Sequence, residues 1–129
     1  MHEKIFGTVI HGLGRGKDFG FPTINIKLID NKLNVKNGVY VVRGTLCRDE
    51  ACPVSTPFNG MLYIGTRPTL DLQEPTIEIH ILDFNEDIYN RQISFKILHK
   101  IRDEIQFKNT DALIKQLHQD KKTVYEYFG

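Results

Sequence analysis

The chain has 129 residues, 40% of them hydrophobic and 26% charged, with a net charge of +1. That length suits one domain with a real core, and so small a net charge offers no strong field to a nucleic acid or an anionic membrane. No apolar run reaches eighteen residues and no charged-then-apolar leader follows Met1, so a cytoplasmic protein without a membrane partner is expected.

In chain order, Lys4 to Ile10 reads as a strand that feeds the stretch HGLGRGKDFGFPTINIKL, His11 to Leu28. Glycines at 12, 14, 16 and 20 surround a single lysine, Lys17. Glycines let backbone N–H groups approach a ligand closely, and such a loop beside one lysine suits the oxygens of a polyphosphate. The Walker pattern does not fit: His11 stands where its first glycine belongs and Asp18 where its hydroxyl belongs. A dinucleotide fingerprint fails as well, because Pro22 and period-two alternation follow in place of a helix. A plain surface hairpin is the bland alternative. In the strand that follows, Ile24, Ile26 and Leu28 share one face, while Thr23 and Asn25 share the other, about 7 Å apart. A hydroxyl and an amide carbonyl so placed are hard oxygen ligands of the kind magnesium accepts, although such residues also commonly just face water.

A polar connection, Asp30 to Lys36, ends at the turn signal Asn37-Gly38, and Gly38 to Cys47 reads as a long strand. Arg48 to Pro57 reads as a loop with two prolines. Gly60 to Thr66 is a further strand, closed by Arg67-Pro68-Thr69. The two cysteines, Cys47 and Cys52, match no zinc pattern and are expected to be free thiols; the five histidines show no ligand spacing. Thr76 to Leu82 alternates with Ile77, Ile79 and Ile81 on one face, and Asn85 to Asn90 turns the chain with Asn90 left-handed. Arg91 to Ile101 alternates again, placing Ile93, Phe95 and Ile97 inward.

Short strands with turn punctuation and no intervening helix argue for a mostly β antiparallel barrel or sandwich. Only the C-terminus changes period. Leu113, Ile114, Leu117, Val124, Tyr125 and Phe128 fall on one helical stripe, with Thr110 as N-cap and Asp111 in the first turn. One domain over residues 1–129 is expected: a barrel over about 4–101, a loop over 102–108 and a helix over about 110–128.

Glu78 interrupts the isoleucines of TIEIHILDF, sharing a face with Thr76 and His80. By pattern alone it is a solvent-facing strand residue. Arg102 and Glu104 of IRDEIQF read alone as loop charges, and Phe107 as a core anchor.

Taken together, the glycine-rich stretch with Pro22-Thr23-Ile24-Asn25, the segment Ile64 to Thr69, Glu78-Ile79-His80 and Arg102 to Phe107 resemble the riboflavin kinase (flavokinase) family, in family order. The resemblance implies a six-stranded antiparallel Greek-key β-barrel with a C-terminal α-helix. It implies ATP-dependent phosphorylation of the riboflavin 5′-hydroxyl to FMN and ADP, with magnesium as cofactor. Gly12, Gly14, Gly16, Lys17, Thr23 and Asn25 would bind ATP, with Thr23 and Asn25 also on the metal. Glu78 would be the general base with His80 in support, and Arg102, Glu104 and Phe107 would meet the flavin. Two positions depart from the family pattern: Tyr63 stands where many members have Asn, and Ile105 where relatives frequently have Lys. In bacteria this domain is usually the C-terminal half of a bifunctional enzyme, so an N-terminal FMN adenylyltransferase domain in a longer chain is one arrangement the resemblance suggests. The rivals are a non-catalytic flavin- or nucleotide-binding barrel and a nucleic-acid-binding OB-type barrel. The second would want a basic-aromatic surface.

Overall fold

The computed structural model describes residues 4–10, 23–29, 35–47, 55–69, 72–82, 92–105 and 107–129. Among these residues, six strands, β1 (Ile5–Ile10), β2 (Ile24–Leu28), β3 (Gly38–Cys47), β4 (Ser55–Thr69), β5 (Leu72–Ile81) and β6 (Gln92–Asp103), precede the helix α1 (Thr110–Phe128). They close into a barrel in the order β1-β2-β5-β4-β3-β6, with every pairing antiparallel. β3, β4 and β5 form a meander and β6 returns to lie beside β3, which is a Greek key. Closure between β1 and β6 leaves the barrel no open edge.

Period-two alternation fills the interior. Val9, Ile26, Tyr40, Val42, Leu62, Ile64, Ile77, Ile79, Ile93 and Phe95 form one buried cluster. Each such aliphatic or aromatic side chain removed from water contributes about 1.5–3 kcal/mol. A second cluster lies on the opposite face of β3 and β4, where Val39, Val41 and Met61 are covered by Val124 of α1, with Leu117 and Phe128 beside it. β3 is therefore buried on both faces, inward against the barrel and outward against the helix. No helix among the described residues is long and apolar enough to cross a membrane.

Several boundaries differ from the sequence reading. β4 begins at Ser55 and runs to Thr69, taking in Pro57 and Pro68. Its pairing with β5 ends at Gly60 and its pairing with β3 ends at Ile64. Both prolines thus lie where β4 has a single neighbour, and a missing backbone donor breaks no ladder on the unpaired side. β5 likewise starts at Leu72 rather than Thr76. On β6 the simple alternation fails twice. Opposite β3 the register steps from Arg102 to Lys100 and from His99 to Ile97. Each step is a bulge with one extra residue, and the extra residues, Ile101 and Leu98, pack on the outer cluster beneath α1.

The helix cap is Asn109, whose side chain accepts a hydrogen bond from the Ala112 N–H at 2.9 Å; Thr110 is already helical. Tyr125 leaves the expected stripe and is exposed, because its neighbour Val124 takes the buried position. Cys47 is disulfide-bonded rather than a free thiol, and the chain's other cysteine is Cys52. The turn expected at Asn85 to Asn90 lies outside the described residues.

Candidate active site

β2 carries Ile26 into the barrel, so Asn25 faces out, and its partner across to β5 is Glu78. Glu78 in turn pairs with Tyr63 on β4, Tyr63 with Val39 on β3, and Val39 with Arg102 on β6. Direct partners in an antiparallel ladder point to the same face. One row of outward side chains therefore crosses five strands: Asn25, Glu78, Tyr63, Val39, Arg102. At about 4.8 Å between neighbouring strands, Glu78 lies one strand from Asn25 and three from Arg102.

Glu78 is 7% exposed although it points away from the barrel interior, and His80 on the same face is 5% exposed. The Thr23 hydroxyl donates to Glu78 Oε1 at 3.5 Å, a long hydrogen bond. The structure thus brings Thr23, Asn25 and Glu78 together at one end of the row. Glycines 12, 14 and 16 and Lys17, the expected polyphosphate loop, lie outside the described residues.

At the other end stand Arg102, Glu104 and Phe107. Arg102 Nε donates to both carboxylate oxygens of Asp120 on α1, at 3.0 and 2.9 Å, and Nη2 lies 2.8 Å from Oδ2. Nη1 donates to the Asp103 carbonyl at 3.1 Å, and the guanidinium carbon sits 5.7 Å from the centroid of the Phe107 ring. Asp120 is 1% exposed and also accepts from Gln116 Nε2 at 2.9 Å. Arg102 is therefore oriented by the helix, with its guanidinium over the Phe107 ring.

Glu104 follows the last residue of β6 and reaches back over β3. Its Oε2 accepts a 2.9 Å hydrogen bond from the Tyr63 hydroxyl. The Tyr63 pKa is pushed up to about 12, first by burial and then by that hydrogen bond. The negative charges of Glu104 and Glu78 add to the rise, and Arg102 opposes it. The bond needs Gly65: a Cβ there would collide with the Glu104 carboxylate and stand 2.7 Å from the Tyr63 ring.

Sequence reasoning missed the structural parts of Tyr63, Asp120 and Gln116. Asp120 carried a signal. It sits in helical register with Leu117 and Val124, so a charge falls in the apolar stripe. Nothing in the pattern around Tyr63 announces its reach to Glu104, because the contact depends on strand order.

Residues 2–128 match the riboflavin kinase family model, Flavokinase. A bifunctional riboflavin kinase/FMN adenylyltransferase from Haemophilus influenzae is 38% identical over 126 residues, covering 98% of this chain but 39% of its own length. The chain thus spans about two-fifths of that relative. The crystal structure of a macrolide-efflux protein from Streptococcus pneumoniae superposes with a TM-score of 0.81 at 34% identity, over 95% of this chain and 38% of that one. The riboflavin kinase of Trypanosoma brucei superposes with a TM-score of 0.71 at 25% identity, over 96% and 75%. With a closed six-stranded barrel, a C-terminal helix and a family match across nearly its whole length, this chain belongs to the riboflavin kinase family.

Proposed function

We propose that the chain transfers the γ-phosphoryl group of ATP to the 5′-hydroxyl of riboflavin, giving FMN and ADP. The observation that carries this reading is the Asn25–Glu78 pairing, with the Thr23 hydroxyl turned toward the same carboxylate. It sets a proton acceptor one strand from two oxygen ligands. Phosphoryl transfer needs that neighbourhood of a base and a charge-neutralised phosphate.

Thr23 and Asn25 fit a magnesium ion by chemistry. They offer neutral hard oxygens and lie beside a carboxylate, which suits a metal that keeps waters and substrate phosphates in its shell. When bound, the ion would spread the negative charge of the phosphates. The protein's own part is to hold and orient. Glu78 takes the proton of the acceptor hydroxyl as that oxygen bonds to the γ-phosphorus, while the bond from phosphorus to the bridging β,γ-oxygen breaks and ADP departs. Gly12, Gly14, Gly16 and Lys17 would cradle the phosphates. Arg102, Glu104 and Phe107 would hold the flavin: the ring by packing, its polar edge by the two charges. His80, buried on the Glu78 face, would support the site. The bifunctional name of the Haemophilus relative suggests a longer native chain with an N-terminal FMN adenylyltransferase domain, working in the cytoplasm.

The test is to incubate the purified chain with riboflavin, ATP and magnesium and to quantify flavins and nucleotides by chromatography. FMN and ADP appearing in equal amounts, only when riboflavin is present, is the expected result. Riboflavin bound but never phosphorylated would support the non-catalytic barrel instead.

A further inference from the structure

Tyr63 is the member of the outward row that the family pattern does not explain. It stands between Glu78 and Val39 in register, so its ring lies beside the carboxylate proposed as the base. Its hydroxyl does not go to Glu78. It goes to Glu104, 41 residues on, across the β3 strand. Glu104 lies past the end of β6, where ladder pairing no longer holds the backbone. The preceding Arg102 is held by Asp120, and Tyr63 supplies the next tie along the chain. Room for it exists because Gly65 has no side chain at the crossing point.

We infer that Tyr63 is a positioning residue for the flavin: its hydroxyl holds Glu104, and with it the segment leaving β6, against the row that carries Glu78. Burial and the neighbouring carboxylates keep the phenol protonated, so it remains a donor throughout the neutral range. Tyr63 then acts on acceptor affinity and not on the chemical step, because its hydroxyl is committed to Glu104. A Tyr63→Asn change would leave a side chain too short to span β3 to Glu104. This inference rests on the kinase reading for the identity of the flavin.

The experiment compares wild type, Tyr63→Phe, Glu104→Ala and the double variant. It measures riboflavin affinity by flavin fluorescence quenching, the KM for riboflavin and for magnesium-ATP, and kcat, with urea midpoints confirming that each variant is folded. A hydrogen bond to a charged group is worth about tenfold or somewhat more in affinity. Tyr63→Phe should therefore raise the riboflavin Kd and KM roughly 10-fold, with kcat and the ATP KM little changed. The double variant should be no worse than Glu104→Ala alone. An unchanged riboflavin Kd in Tyr63→Phe would overturn the assignment. So would equal losses in both KM values and kcat, or effects of the two single variants that multiply in the double. A wild-type chain that binds riboflavin but makes no FMN would overturn the kinase reading alone, since the Kd comparison still decides the role of Tyr63. A wild-type chain that binds no riboflavin would overturn both.

Discussion

Arg102, near the end of β6, and Asp120, 18 residues later on α1, form a bidentate ion pair in which the carboxylate is 1% exposed. The pair joins the helix to the strand end from which the proposed flavin segment departs. Asp120→Asn keeps the shape and leaves the guanidinium facing a neutral amide. Removing one partner of a buried pair typically costs about 3–5 kcal/mol. Urea denaturation should show a loss of that order at an unchanged m-value. A loss below about 1 kcal/mol would mean that the pair behaves like an exposed one.

Tyr63 gives the fold a signature at alkaline pH. Its folded pKa, pushed up to about 12, lies above the ordinary tyrosine value of 10.0, so the folded state holds this proton more tightly than the unfolded chain does. Its contribution to stability is therefore complete below pH 10 and declines as pH rises toward 12. Ultraviolet difference titration of the native protein should show a tyrosine component that ionises only at about pH 12, separate from Tyr40, whose pKa burial also raises, and Tyr63→Phe should remove that component. Complete ionisation of all tyrosines near pH 10 would contradict the environment described for Tyr63.

What could be read in the sequence was what depends on local pattern. Ile77, Ile79 and Ile81 alternate in the sequence and line the interior together; Leu117 and Val124 keep helical spacing and pack under the barrel. Turn chemistry misled at Pro57 and Pro68, since a proline's meaning depends on whether a neighbouring strand lies on its side. The bulges at Leu98 and Ile101 were illegible for a related reason: β6 must satisfy both a barrel interior and a helix, and alternation describes one face at a time. For the site, Glu78 and Asn25 could each be picked out, but their direct pairing required the order β2-β5-β4. The ties from Arg102 to Asp120 and from Tyr63 to Glu104 bridge elements that no local window contains.

The oxygen pair can be tested without measuring turnover. Thr23→Val and Asn25→Leu each delete an oxygen at nearly constant volume, and neither side chain fills the barrel interior. If both oxygens hold magnesium with the nucleotide phosphates, ADP binding measured by calorimetry should lose most of its dependence on magnesium in each variant. Wild-type magnesium dependence in both variants would remove Thr23 and Asn25 from the metal.

The central claim is that Glu78 takes the proton of the acceptor alcohol. Glu78→Gln preserves size and can still accept from the Thr23 hydroxyl, yet it cannot act as a base. The direct measurement is single-turnover FMN formation by this variant with saturating riboflavin and magnesium-ATP, alongside riboflavin binding. Loss of a general base typically slows the chemical step about 10²–10⁴-fold, so a fall in that range with binding nearly unchanged is expected. A rate within a few-fold of wild type would contradict the account.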